Sequence, residues 1–284
     1  MRTFYRLKTL SLPHKSRNTN FSFFIIKTAF HISPVPLSVC VVTNEWHPKL
    51  DAVLTMLVPM VDEVLIGYGG NLNKIPDHPI YQSLKIVYLP WEGYSISKNK
   101  LALQAKNDWI LSLDSDEVPD EMLLQDISSI VFQNQSICNQ FQMKRVSFFE
   151  GKMMHHGAWG NDTVIRLYNR LSTKWNKSLV HESLERNHQT KIHRLKGTIH
   201  HFTADNYQTF LAKSLRYALL SAEENSLNNK KATFIKSYLS PVFSFVKEYI
   251  FQAGFIDGKR GWKIALGNAK YTFWKYKFLK EKQS

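Results

Sequence analysis

The stretch DWILSLDSDEVPDEM, Asp108–Met122, changes character at its midpoint. Trp109, Ile110, Leu111 and Leu113 make an apolar run too short for an exposed helix. Such a run suits a parallel strand covered on both faces. Asp114, Ser115, Asp116 and Glu117 follow at once. The strand therefore ends in three carboxylates, at the edge where open α/β sheets bind ligands. Pro119 is expected at the first position of a helix whose opening turn carries acids. An Asp-x-Asp placed here suits a hard divalent cation, Mg²⁺ or Mn²⁺, shared between carboxylate and substrate phosphate. The plainer alternative is a solvated acidic loop with a capping Asp, so the surrounding chain decides.

Upstream, LSVCVVT (37–43) reads as a first strand, and VDEVLIGYG (61–69) and LKIVYLP (84–90) as further short ones. SISKNKLALQAK (95–106) reads as a helix with Leu101, Ala102 and Ala105 on one face. Strands alternating with helices imply a mostly parallel sheet. From about residue 138 to 204 the pattern turns to short β-like pieces rich in Trp, Gly and His; beyond about 205 it is helical.

The composition sets bounds on this reading. A chain of 284 residues with 44% hydrophobic residues and 18 Phe can bury a large core. Cys40 and Cys138 form no zinc pattern and suggest a reducing compartment. No apolar run reaches the roughly 18 residues of a membrane span. FSFFIIKTAF (21–30) is short, holds Lys27, and makes a poor signal peptide. The net charge of +14 is unevenly spread. Residues 1–36 hold six Lys/Arg and no acid, while residues 230–284 hold twelve Lys/Arg against three acids. The middle of the chain is close to neutral. Basic ends on a neutral core argue against a groove that tracks nucleic acid. They favour an anionic surface, such as a membrane leaflet, as partner.

Seven segments occur in an order that carries a family resemblance: LSVCVVTNE, VDEVLIGYGG, PWEGYSISKNKLAL, DWILSLDSDE, HHGAWGNDTVIRLYNR, LVHESLE and DGKRGWKIALGNAKYTFWKY. Together, over roughly residues 37–280, they resemble family 2 glycosyltransferases of the GT-A fold. The match is closest to bacterial lipopolysaccharide-core β-1,4-glucosyltransferases that act on inner-core heptose. The resemblance implies an α/β, Rossmann-like GT-A fold with a mostly parallel sheet and a helical C-terminal appendage. Three regions are expected: a basic N-terminal extension (1–36), the GT-A catalytic domain (37–204) and a helical, basic C-terminal region (205–284). The implied activity is inverting transfer of a hexose, glucose from UDP-glucose, to an inner-core heptose. The implied partners are a UDP-hexose donor, a lipid-anchored oligosaccharide acceptor and an anionic membrane surface, with no nucleic acid. The implied location is cytoplasmic, peripheral on the inner face of the inner membrane.

The resemblance also distributes roles. A transferase of this kind must neutralise a leaving diphosphate, and a bound Mg²⁺ or Mn²⁺ does so. Asp116 is the expected direct ligand, with Asp114 on the ribose or the metal's water, and His201 (or His200) in GTIHHFT as a third ligand. Thr43, Asn44 and Glu45 are expected on the base or ribose, with Lys98, Asn99 and Arg166 also near the nucleotide. One place departs from the family pattern. GYGGNLN puts Tyr68 where an Asp is usual, and Tyr68 is expected to stack on a base. Inverting transfer also needs a carboxylate to take the acceptor hydroxyl proton. Asp162 is the first candidate and Glu182 the rival. Trp159, His156 and His181 are expected to shape the acceptor side.

In GWKIALGNAKYTFWKYKFLK (261–280), Trp262, Ala265, Leu266, Ala269, Phe273 and Tyr276 share a helical stripe. Lys263, Lys270 and Lys277 recur on another face. Basic amphipathic helices of this kind lie at anionic membrane surfaces; the alternative is that the stripe docks on the catalytic domain. Two rival functions remain: a glycosyltransferase with another polysaccharide or protein acceptor, and a catalytically silent sugar-nucleotide or glycan binder.

Overall fold

The computed structural model describes residues 34–77, 79–180 and 182–283, so the expected extension lies almost wholly outside the described residues. The first strand begins slightly earlier than expected. β1 spans Val35–Thr43 and is followed by β2 (Val61–Tyr68), β3 (Leu84–Tyr88), β4 (Trp109–Asp114), β5 (Glu117–Pro119), β6 (Asn139–Phe149), β7 (Lys152–Met153), β8 (Asp162–Asn169) and β9 (Lys191–Ala204). They form one sheet in the order β3-β2-β1-β4-β8-β6-β9-β5, with β7 paired to β6. β1 to β4 pair in parallel, and β6 pairs in parallel with β9. β8, β5 and β7 run against them. The sheet is mixed, with most strands pointing one way.

The apolar runs come from burial on two faces. In β1, Val39 and Val41 face one core with α1 (Pro48–Leu57) and α3 (Glu121–Ser128), where Leu50, Leu54 and Leu123 are buried. Cys40 and Val42 face a second core with α2 (Tyr94–Leu103), through Leu101 and Ala102. Burial pushes the Cys40 thiol up to about 12, which marks it as an inert core residue. α1 was not anticipated, although Pro48 occupies its first turn and His47 Nδ1 caps it by accepting from Leu50 N.

Pro119 does not open a helix. It ends β5, which pairs with β9 as Glu117↔His201 and Pro119↔Ile199. α3 starts two residues later, capped by Asp120, whose Oδ1 accepts from both Leu123 N (2.7 Å) and Thr198 N (3.0 Å). Asp126 accepts from Lys196 N and Gly197 N, so α3 is tied to β9 at both ends. A Cβ on Gly197 would lie 2.0 Å from Leu123 N. Gly197→Ala is expected to force this joint apart and to cost about 1–3 kcal/mol, read as a lower melting temperature by calorimetry.

Three further helices follow: α4 (Tyr207–Leu227), α5 (Phe234–Val246) and α6 (Gly258–Glu281). Phe210 of α4 and Ile264 of α6 join Phe149, Met154 and Ala204 in a third core. Ser221 and Tyr271 bridge α4 and α6 through their hydroxyls at 2.7 Å. Among the described residues no helix is long and apolar enough to cross a membrane.

Candidate active site

The C-terminal ends of β1 and β4 open into a cleft of about 1050 Å³. Thr43, Asn44 and Glu45 form one lip. Thr43 Oγ1 donates to Glu45 O at 2.6 Å and accepts from Glu45 N, closing the turn. Asn44 packs against the β2 end so tightly that a Cβ on Gly69 would fall 2.3 Å from its Oδ1. Contacts with Asn44 account for Gly69 and Gly70, while a Cβ on Gly67 would meet the Leu89 side chain. Tyr68 itself lies outside the cleft: it is 1% exposed and packs edge-on to Trp46 in the core. The expectation that it stacks on a base is corrected, because its ring has no open face.

The Asp-x-Asp divides its two carboxylates between two settings. Asp114 Oδ1 meets Lys98 Nζ at 2.8 Å, and its Oδ2 accepts from Arg166 Nη2 at 2.8 Å. Burial alone would raise its pKa; Lys98 and then Arg166 outweigh that and hold it well below the usual carboxylate range. Asp114 lines the cleft as Asp116 does, with both of its oxygens paired to the protein's own cations. Asp116 faces the cleft. Its Oδ1 lies 3.5 Å from His201 Nε2 and its Oδ2 lies 3.1 Å from Lys213 Nζ. His201 thus meets the Asp-x-Asp, delivered by the pairing of β9 with β5. His200, the other histidine considered, packs against Phe148 instead.

Glu117 is fully buried next to this pair. It accepts from Arg166 Nε (2.8 Å) and Nη2 (2.6 Å), from Arg145 Nη1 (3.2 Å), and from Asp114 N. Burial would lower the Arg166 pKa, but Glu117 and then Asp114 hold it above its ordinary value. Arg166, expected at the nucleotide, both lines the cleft and keys this network.

The two candidate bases are placed differently. Glu182 lines the cleft and contacts Lys98 Nζ at 3.1 Å. Asp162 is outside the cleft lining, and its Oδ2 accepts from Arg145 Nε (2.7 Å) and Nη2 (2.6 Å). Asn99 does not face the nucleotide lip. It clamps Trp175, donating to its carbonyl and accepting from its N–H, each at 2.9 Å. It thereby fixes the segment that carries Glu182. Lys98 is 2% exposed and sits 4.6 Å from the Trp175 ring centre, behind the cleft wall. Trp159 lines the cleft against Phe149 and Phe210. His156 points elsewhere, pairing its Nδ1 with Asp257 Oδ1 at 3.2 Å. His181 lies outside the described residues.

Sequence reasoning missed one wall. Lys213, Arg216 and Tyr217 from α4, and Asn268 and Tyr271 from α6, line the cleft. Arg216 lies over the Trp91 ring at 5.0 Å, and Tyr217 stacks near Tyr94. The C-terminal region is part of the site rather than an appendage to it.

No family model matches the chain. It is 25% identical over 243 residues to an uncharacterized glycosyltransferase of Rickettsia bellii (strain RML369-C), covering 79% of each chain. It is 23% identical over 252 residues to the lipopolysaccharide core biosynthesis glycosyltransferase LpsC of Rhizobium meliloti (strain 1021), covering 85% of this chain and 91% of LpsC. Over most of its length the chain is similar to these glycosyltransferases. Its parallel β1–β4 half, ending in Asp-x-Asp, and its C-terminal helices agree with the α/β architecture expected from the GT-A resemblance. Among solved structures, S. aureus TarS 1–349 overlaps 87% of this chain and 91% of that one, at 14% identity and a TM-score of 0.39.

Proposed function

We propose that this glycosyltransferase moves glucose from UDP-glucose to an inner-core heptose of lipopolysaccharide or lipooligosaccharide, with inversion, at the inner face of the inner membrane. The observation that carries the transfer chemistry is the cleft itself. It joins the Thr43–Glu45 lip, the Asp116–His201 pair and a second carboxylate, Glu182, in one space. The relative LpsC supports the acceptor class.

The residues present fit a divalent cation. Asp116 and His201 offer an oxygen and a nitrogen 3.5 Å apart on the cleft wall, and Mg²⁺ and Mn²⁺ commonly combine few protein ligands with substrate phosphates. Among the described residues no group of three or more His, Cys, Asp or Glu side chains is arranged to hold a metal alone, so the donor would supply the remaining oxygens. When bound, the ion would offset the charge of the leaving diphosphate. Lys213, already at Asp116, adds a second positive charge on the same side. Lys98 behind the cleft wall and Arg166 in its lining hold Asp114, and with it the turn, in position. Glu182 takes the acceptor hydroxyl proton as that oxygen bonds to the anomeric carbon. The bond from the anomeric carbon to the diphosphate oxygen breaks, and its electron pair leaves with UDP.

A donor-panel turnover assay with Mg²⁺ or Mn²⁺ on deep-truncated lipopolysaccharide tests this reading; transfer from no UDP-hexose would overturn it. Asp116→Asn is expected to weaken Mn²⁺ binding in the presence of UDP by about 10–100-fold, the scale seen when even outer partners of a metal site are lost. Titration calorimetry reads that without turnover. Unchanged Mn²⁺ affinity would remove Asp116 from the metal.

A further inference from the structure

The lysines expected at a membrane are engaged elsewhere. Lys263 pairs with Glu150 at 2.6 Å, Lys270 lies 5.7 Å from the Tyr207 ring centre, and Lys277 is 4.0 Å from Glu281. Ala265 and Ala269, on the apolar stripe of α6, are buried. α5 is built the other way round. Phe234, Ile235, Tyr238, Leu239, Val242 and Phe243 are each 52–75% exposed. Their spacing places them on one stripe of the helix. The stripe continues past the helix end through Ile250 and Phe251, the latter 76% exposed. The opposite side of α5 is covered, with Pro241 buried and Phe245 packed on Trp262 at 4.9 Å.

The charges around this face sort by sign. Residues 229–260 contain two acids, and both are held by the protein. Glu248 accepts from Asn268 Nδ2 at 2.7 Å, and Asp257 accepts from the backbone N–H groups of His155 and His156. Lys230, Lys231, Lys236, Lys247 and Lys259 are exposed. Within residues 229–260 the exposed charge is therefore positive.

We infer that α5 and the turn after it are the surface by which this protein lies on an anionic lipid bilayer. A monomer seldom leaves so continuous an apolar stripe in water. An apolar helix face rimmed by lysines inserts at the headgroup boundary, where each component adds to binding. Thirteen residues of α5 are too few to span a bilayer, so the helix lies in the interface plane. The face is one helix from the cleft, since Asn268 both holds Glu248 and lines the cleft. That arrangement suits an acceptor anchored in the same bilayer; this last step alone rests on the acceptor proposed above.

Flotation of the full chain through a density gradient tests the surface. The native protein is expected to float with phosphatidylethanolamine–phosphatidylglycerol vesicles, less so in high salt, and to stay down with phosphatidylcholine alone. Ile235→Ser combined with Leu239→Ser and Phe243→Ser should cut the partition by about tenfold or more. The melting temperature and turnover on a short soluble acceptor should be unchanged, because these side chains are exposed and outside the cleft. Lys263→Gln with Lys270→Gln and Lys277→Gln should float as the native chain does. Failure of the native protein to float, or equal flotation of the serine variant, would overturn the inference. So would a native dimer in light scattering that the serine variant dissolves, since the face would then be covered by a second copy. Flotation without transfer from any donor would leave the surface standing and sink the acceptor reading instead.

Discussion

Glu182→Gln is expected to lower turnover by roughly 10²–10⁴-fold, the usual loss when a general base is removed. UDP-hexose affinity should change little, because the Thr43–Glu45 lip is left intact. The geometry favours Glu182 over Asp162 for two reasons. Glu182 lines the cleft, and Asp162 does not. One oxygen of Asp162 is also engaged twice by Arg145, within 2.6–2.7 Å. The amide that replaces the Glu182 carboxylate would keep an oxygen for Lys98, so the segment fixed by Asn99 should stay in place. Asp162→Asn should loosen Arg145 and cost a smaller factor. Initial rates for the two variants, with donor affinity measured by calorimetry, decide between them. A collapse in Asp162→Asn with near-native Glu182→Gln would return the role to Asp162.

The parallel half of the fold was legible because burial on two faces leaves an unbroken apolar run, as in LSVCVVT and DWILSLD. α2 was legible for a related reason, since Leu101 and Ala102 mark its inward face. Pro119 misled because a proline near acids satisfies a helix start and the end of an edge strand equally well. Only the pairing with β9 distinguishes them. Tyr68 misled because its place in the chain reports which turn it precedes, not whether its ring points to the cleft or the core. Asn99 shows the same limit: an amide beside a lysine says nothing about which backbone it clamps. The wall built from Lys213, Tyr217 and Tyr271 could not be read at all. Periodicity identifies a helix face, but the partner of that face is set by a third core around Phe210 and Ile264, remote in sequence. His201 was found through family order, and the β5–β9 register is the physical reason it arrives at Asp116.

Glu117→Gln is expected to be the most destabilising single change near the site. The side chain has no exposure, and Arg166 is 5% exposed. Arg166 would lose its main partner and keep only Asp114, and breaking a buried ionic network in this way costs about 3–5 kcal/mol. For a chain of this size, each kcal/mol moves the melting temperature by about 2–4 °C, so calorimetry should show a fall of roughly 6–20 °C. The cause can be separated from lost packing. Glu117→Leu combined with Arg166→Met removes the central pair, yet Asp114 keeps Lys98 and Arg145 keeps Asp162. Each remaining charge retains a partner. The double variant should therefore melt above Glu117→Leu alone, because replacing a buried pair by apolar groups costs less than breaking it. Equal melting of the double and single variants would show that volume, rather than the broken pairing of Arg166 with Glu117, sets the cost.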